Sequence, residues 1–138
     1  MNRSVESLGD ELAIRTLVAR YCFAIGERDD KAWAETWAED AVWIVLGRET
    51  RGRDAILAHY QSLVANAQSV VQVASDGIIE LAGDEASGRW QIQETIQIAN
   101  APTLSHIGRY ADRYRRGRDG AWRFARREFR LVQSLARS

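Results

Sequence analysis

The stretch ASGRWQIQETIQI, residues 86–98, alternates with a period of two. Ala86, Gly88, Trp90, Ile92, Glu94, Ile96 and Ile98 fall on one side, and Gln91, Gln93, Thr95 and Gln97 on the other. This is the pattern of a strand whose apolar face is covered and whose polar face meets water. Three neighbouring stretches share the period: 69–82, 104–116 and 121–133, with turn chemistry at Gly83-Asp84 and Arg118-Asp119-Gly120. Upstream the period changes. Ile14, Leu17, Val18, Tyr21 and Ile25 recur at helical spacing, so one amphipathic helix is expected over 5–27, with Gly26 at its C-terminal end. Asp29 or Asp30 can cap a second helix carrying Trp33 and Trp37, a short strand is expected over 41–46, and a third helix over 55–67.

Three helices followed by long antiparallel strands make an α+β fold: N-terminal helices packed on a strongly curved, mostly antiparallel sheet, cone-shaped with a pocket between the layers. At 138 residues, with 46% hydrophobic and 28% charged residues, the chain is expected to form one domain over 1–138 and not a disordered segment. No apolar run reaches the roughly 20 residues of a membrane span, and the start has no signal-peptide pattern. The single cysteine, Cys22, fits a reducing compartment, so a cytoplasmic protein is expected. Nineteen basic and nineteen acidic residues cancel, which argues against nucleic-acid binding. The halves are unequal, however: residues 102–138 hold ten Arg and three acids. An internal charge match with the acidic first part explains this better than a phosphate groove at Arg113, Arg115, Arg116 and Arg118.

Polar side chains on the covered face are the candidate site. Glu94 stands in a row of Trp and Ile, where burial disfavours its charged form; it is either a general acid or base or a structural partner for an arginine. On the next strand His106, Tyr110 and Asp112 share a face around Gly108, good lining for a cavity. His106 can exchange a proton near neutral pH. On the last strand Arg127 shares a face with Phe129, where it can neutralise Glu94 or Asp112 or steady an anionic group. Trp37, Trp43, Trp90 and Trp122 are expected as apolar walls. His59, off its helix's apolar stripe, is expected at the surface. Residues 47–52 lack the Lys-Ser/Thr ending of a phosphate loop, and two distant histidines make neither a metal site nor any other cofactor an expectation.

RYCFAIGERDDKAWAETWAEDAVW (20–43), GRDAILAHY (52–60), GRWQIQET (88–95) and HIGRYADRYRRGRDGAWRFARR (106–127) together resemble the SnoaL-like group of the nuclear-transport-factor-two-like superfamily, the fold of scytalone dehydratase and ketosteroid isomerase. The resemblance runs over nearly the whole chain. It implies a pocketed cone, a homodimer or higher homo-oligomer, and cofactor-independent lyase or isomerase chemistry on a small, apolar, cyclic ligand. Dehydrating and dehydrochlorinating members pair an Asp ending the first helix with a His on the first long strand; the matching positions here are Gly26 and Gln72, so that dyad is absent. By similarity to ketosteroid isomerase, Tyr21 and Asp112 match its oxyanion-binding Tyr and neutral Asp, whereas its base position falls near Val45. Catalytic roles are therefore expected of His106, Glu94, Asp112 and Tyr21, and ligand binding of Tyr110, Arg127, Trp37, Trp43, Trp90, Gln72 and Phe129. The alternative is a module that binds a ligand, or a partner subunit, without catalysis.

Overall fold

The computed structural model describes residues 4–75 and 77–135. The first helix, α1 (Val5–Glu27), starts at a capping box in which Ser4 and Ser7 bond each other's backbone N–H. It ends at Glu27 as expected, and the left-handed cap is Arg28 rather than Gly26, its N–H directed back to Ala24 and Ile25. Ile14, Leu17, Val18, Tyr21 and Ile25 are buried, as the spacing requires. The Asp29 side chain caps α2 (Asp30–Glu35) by accepting from the Ala32 N–H. This helix is too short to hold Trp37, which instead opens strand β1 (Trp37–Val45). A two-residue turn at Leu46-Gly47, both with positive φ, leads to β2 (Arg48–Arg51), a strand the sequence pattern did not reveal.

The third helix, α3 (Arg53–Val64), places Ile56, His59 and Tyr60 inside. His59 is thus not a surface residue: it is buried and bonded through Nδ1 to the Thr50 hydroxyl at 3.2 Å. The stripe reading missed it because β2 covers that flank of the helix. The stretch 69–82 is two strands rather than one, β3 (Ala67–Ala74) and β4 (Ile78–Ala82), which pair with successive parts of β5 (Glu85–Ile98). Strands β6 (Leu104–Arg116) and β7 (Trp122–Ser134) complete a seven-stranded sheet in the order β2-β1-β7-β6-β5-β3, with β4 also on β5. Every pairing is antiparallel except β1 with β7.

The helices lie on one face of this curved, unclosed sheet, and the core fills the space between. Its densest part is aromatic: Trp33 stacks on Tyr60 with ring centroids 4.1 Å apart, and Tyr21 meets Trp33, Trp37, Phe124 and Tyr110 within 6.1 Å. Burying each such side chain contributes roughly 1.5–3 kcal/mol. Two irregularities in β7, at Ala125 and Val132, bend the strand, and the first puts Phe124 and Arg127 both inside.

Candidate functional site

The register of β3, β5 and β6 sets Gln72 opposite Glu94, and Glu94 opposite His106. Three polar side chains thereby form a row across the covered face. Gln72 Nε2 donates to Glu94 Oε2 at 2.8 Å, and His106 Nε2 lies 3.2 Å from Glu94 Oε1. Both carboxylate oxygens are engaged. A neutral imidazole so placed donates its Nε2–H to the carboxylate, which leaves Nδ1 as the proton acceptor.

The row opens on a cavity of about 190 Å³ whose lining includes Gln72, Glu94, His106, Tyr21, Tyr110 and Trp43. Ile96, Val70, Leu63 and Phe129 make most of the rest apolar. Phe129 meets His106 and Tyr110 edge-on at 5.8 and 5.5 Å. Gly108 makes that possible, since a Cβ there would lie 2.2 Å from the Phe129 ring. At the inner end the Tyr21 and Tyr110 hydroxyls are 3.3 Å apart. Burial pushes Tyr110 up to about 12 and Tyr21 well above its usual 10.0, although the Arg127 charge pulls both down. Both phenols therefore keep their protons through the neutral range and can act as donors. Trp43 lines the cavity too, and its indole N–H is buried without a hydrogen-bond partner.

Beneath the tyrosines lies Arg127, wholly buried. Its guanidinium carbon is 3.7 Å from the Tyr110 ring centre, 4.2 Å from Phe124 and 4.5 Å from Tyr21. Burial works against its charge, and Asp112 together with Tyr110 and Tyr21 more than offsets this; Nε reaches Asp112 Oδ1 at 2.8 Å and Nη2 reaches Oδ2 at 3.1 Å. Asp112 also accepts from the Tyr114 hydroxyl at 2.7 Å, which in turn accepts from Trp90 Nε1 at 2.8 Å. Asp112 therefore sits behind the cavity wall as an acceptor, not on the lining as the neutral donor that similarity to ketosteroid isomerase implied. Arg127 neutralises Asp112 and not Glu94.

Of the residues expected at the site, His106, Glu94, Tyr21, Tyr110, Gln72, Trp43 and Phe129 converge on the cavity. Asp112 and Arg127 support it from behind. Trp37 is sealed in the core, and Trp90 and Gln72 line a separate groove between α1 and β3. Trp122 lies apart, its indole donating to Asp10. Gly26 borders that groove without a side chain to offer. Cys22 Sγ reaches Gln72 Oε1 at 3.8 Å, and burial pushes its thiol up, so it is no activated nucleophile. Tyr60 and the mouth residue Leu46 were not anticipated on the lining; Leu46 arrives there through the unforeseen β1–β2 turn. Among the described residues no group of three or more His, Cys, Asp or Glu comes together to hold a metal ion, and no helix is long and apolar enough to cross a membrane.

Comparison with solved structures places the fold. A candidate scytalone dehydratase from Novosphingobium aromaticivorans superposes with a TM-score of 0.86 at 21% identity, over 93% of this chain and 87% of that one. A hexachlorocyclohexane dehydrochlorinase, LinA-type3 from Novosphingobium barchaimii, gives 0.83 at 20% identity, over 93% and 90%. Rv3472 from Mycobacterium tuberculosis, described as a protein of unknown function, gives 0.83 at 30% identity, over 93% and 75%. Comparison with curated proteins finds no match to the chain. Residues 6–128 match the model of the SnoaL-like domain, and with that match over the same helices and strands the chain belongs to the SnoaL-like family.

Proposed function

We propose that the chain is a cofactor-independent lyase or isomerase that moves a proton on a small, largely apolar ring compound held in the 190 Å³ cavity. The observation that carries this reading is the Glu94–His106 pair at 3.2 Å, set into an otherwise apolar lining opposite two protonated tyrosines. In the scheme, His106 Nδ1 takes a proton from a carbon next to a carbonyl; the C–H electron pair forms a carbon–carbon double bond and the carbonyl π pair moves onto the oxygen. Glu94 fixes the ring's tautomer and steadies the imidazolium that forms. Tyr110, with Tyr21 beside it, donates to the developing oxyanion; donors of this kind in a dry site typically supply about 3–4 kcal/mol. Return of the proton to a different carbon completes an isomerisation, and loss of a leaving group from the next carbon completes an elimination.

The LinA-type3 relative is named for elimination of hydrogen chloride, and an elimination fits the geometry here as well. Trp43 and Phe129 grip the ring, and Gln72 holds Glu94 in place. One observation favours the non-catalytic reading: Gln72 and His106 occupy both oxygens of Glu94, as they would in a static network.

A thermal-shift screen with hydroxylated and ketone-bearing ring compounds separates the two. Wild type should be compared with Glu94→Gln and His106→Ala from about pH 5 to about pH 9, the range in which imidazole titrates. On the catalytic reading a ligand stabilises wild type pH-dependently, and both variants bind it with that dependence lost. Variants that match wild type at every pH would leave the binding module as the better account.

A further inference from the structure

Large apolar side chains stand in water where the cavity opens. Leu46 is 75% and Leu63 49% exposed, yet both belong to the cavity lining. The covered face of the sheet supplies two more at the same end. Leu104 lies directly opposite Ile96, a lining residue. Leu131 lies opposite Gly108, which stands between His106 and Tyr110 on that face. These two are 38% and 53% exposed. Register brings Leu46 to the same level: β1 runs parallel to β7 with Ile44 beside Glu128, so the chain two residues on stands between Phe129 and Leu131. Exposed leucines scattered singly need no explanation, whereas four around one opening form a patch. Leu46 is held there at φ 52, a conformation that favours Gly or Asn, so its apolar side chain is kept against backbone preference.

The cavity behind this rim is small. An apolar cavity of about 150 Å³ takes up one benzene ring, and drug-sized ligands occupy about 300–1,000 Å³. At about 190 Å³ the cavity therefore holds a single ring with few substituents. A ring seated with its carbonyl at the tyrosines of the inner end fills it, and any longer substituent must leave through the mouth. Among the described residues no Lys or Arg is on the lining, and its two charged groups, Glu94 and His106, engage each other. Nothing at the opening would hold a charge on that substituent.

We propose that the substrate is a single ring carrying an uncharged apolar tail of several carbons, the ring inside the cavity and the tail across Leu46, Leu63, Leu104 and Leu131. The inference rests on the cavity holding the ring, as in the proposed function, and adds what lies outside it. A second protein copy or a membrane surface fits this patch less well, because either would close the opening through which the cavity is filled. A tail covers the same side chains as part of the molecule that fills it.

Equilibrium dialysis of the full chain against cyclohexanone, and against derivatives with a propyl or a hexyl chain on the carbon opposite the carbonyl, reads the tail directly. Affinity should rise about two- to threefold per methylene, the order for a CH₂ group moved partly out of water. A chain of the hexyl length that ends in a carboxylate should lose most of that gain. Leu104→Thr/Leu131→Thr, which keeps strand-forming residues at two exposed positions, should cut the hexyl gain by roughly tenfold. Its affinity for cyclohexanone and its urea midpoint should stay at the wild-type values, which separates a lost rim from a lost fold. Failure of every member to bind, cyclohexanone included, would overturn the cavity reading and this inference with it. Cyclohexanone binding with no gain from the hexyl chain overturns this inference alone. So does a gain that persists in the double variant; if that variant also sediments as a smaller species, the patch joins copies of the chain instead.

Discussion

Arg127 is the residue on which the site's geometry rests. Its guanidinium is fully buried and reaches Asp112 and three aromatic rings, while Nη1 has no partner. Removing one member of such a pair strands the other charge in the core. Arg127→Met should therefore cost about 3–5 kcal/mol in urea unfolding, and Arg127→Met/Asp112→Leu should recover much of it. Equal destabilisation by single and double variants would show that packing, not charge, dominates there. His59 carries a second consequence. Burial, and then the charge of Arg48, lower its pKa from 6.5. The unfolded ring takes up a proton first as pH falls, so its contribution is present above pH 6.5 and is lost as pH falls below it. His59→Gln, which keeps a partner for Thr50, should flatten the loss of stability between neutral pH and about pH 5.

Other residues mark what could be read beforehand. Glu94 and His106 were legible as inward groups because strand parity is strict; one residue either way would have turned them to solvent. That they touch each other was not legible, since strand register depends on turns and bulges. The burial of His59 was hidden because it depends on β2, a strand of four residues with three charges among them. Asp112 was found at the right face with Arg127 as one of its possible partners, but its role was misread: similarity supplied a donor, and the buried arginine behind it makes an acceptor.

Among the elements, the β1–β2 turn ties fold to cavity most directly. Leu46 holds φ 52, a left-handed conformation that costs a β- or γ-branched residue about 1–2 kcal/mol, and its side chain stands largely exposed at the cavity mouth. Leu46→Asn should raise stability by about 1 kcal/mol, since Asn tolerates that conformation, and should weaken binding of apolar ligands. A drop in stability would show that the exposed leucine packs more than it strains. Gly108 makes the complementary case. Gly108→Ala would press on Phe129 and on the Arg130 carbonyl, 3.0 Å from the new Cβ, at a cost of about 1–3 kcal/mol. Because the displaced ring has the cavity to move into, ligand binding should fall as well.

The lengths of β5, β6 and β7 and the switch from helical to strand period were plain in the sequence, whereas the bulges at Ala125 and Val132 were not. Bulges arise from how β7 must bend to meet both β6 and β1, which no local pattern encodes. Their effect on the site is large, for without the first one Arg127 and Phe124 could not both face inward.

For the whole molecule the tyrosines report on integrity. All four are inside, and burial raises each: Tyr60 and Tyr110 to about 12, with Tyr21 and Tyr114 also held well above 10.0. An unfolded chain ionises them near 10.0, so the tyrosines' contribution to stability is constant below that pH and falls as pH rises from 10 toward 12. Phenolate absorbance should appear only together with unfolding. Tyrosine ionisation near pH 10 with the fold intact would contradict this packing.

The overall architecture was the most legible feature, because three helices followed by long alternating strands leave few ways to cover one sheet face. The family match and the structural superpositions agree with it. The chemistry was less legible because this fold hosts many activities and, by the resemblance, the Asp and His positions of the dehydrating members fall at Gly26 and Gln72. On the proposed reading the Glu94–His106 pair takes their place.

Solvent-deuterium exchange tests that pair most directly. Single-ring ketones that bind the cavity would be incubated with the protein in deuterated water and followed by proton NMR at the carbon next to the carbonyl. Wild type should exchange that proton catalytically, His106→Ala should be slower by about 100-fold or more, and Glu94→Gln should be slowed as well. Exchange at the wild-type rate in His106→Ala, or none in wild type with any ketone bound, would contradict a proton-transferring site.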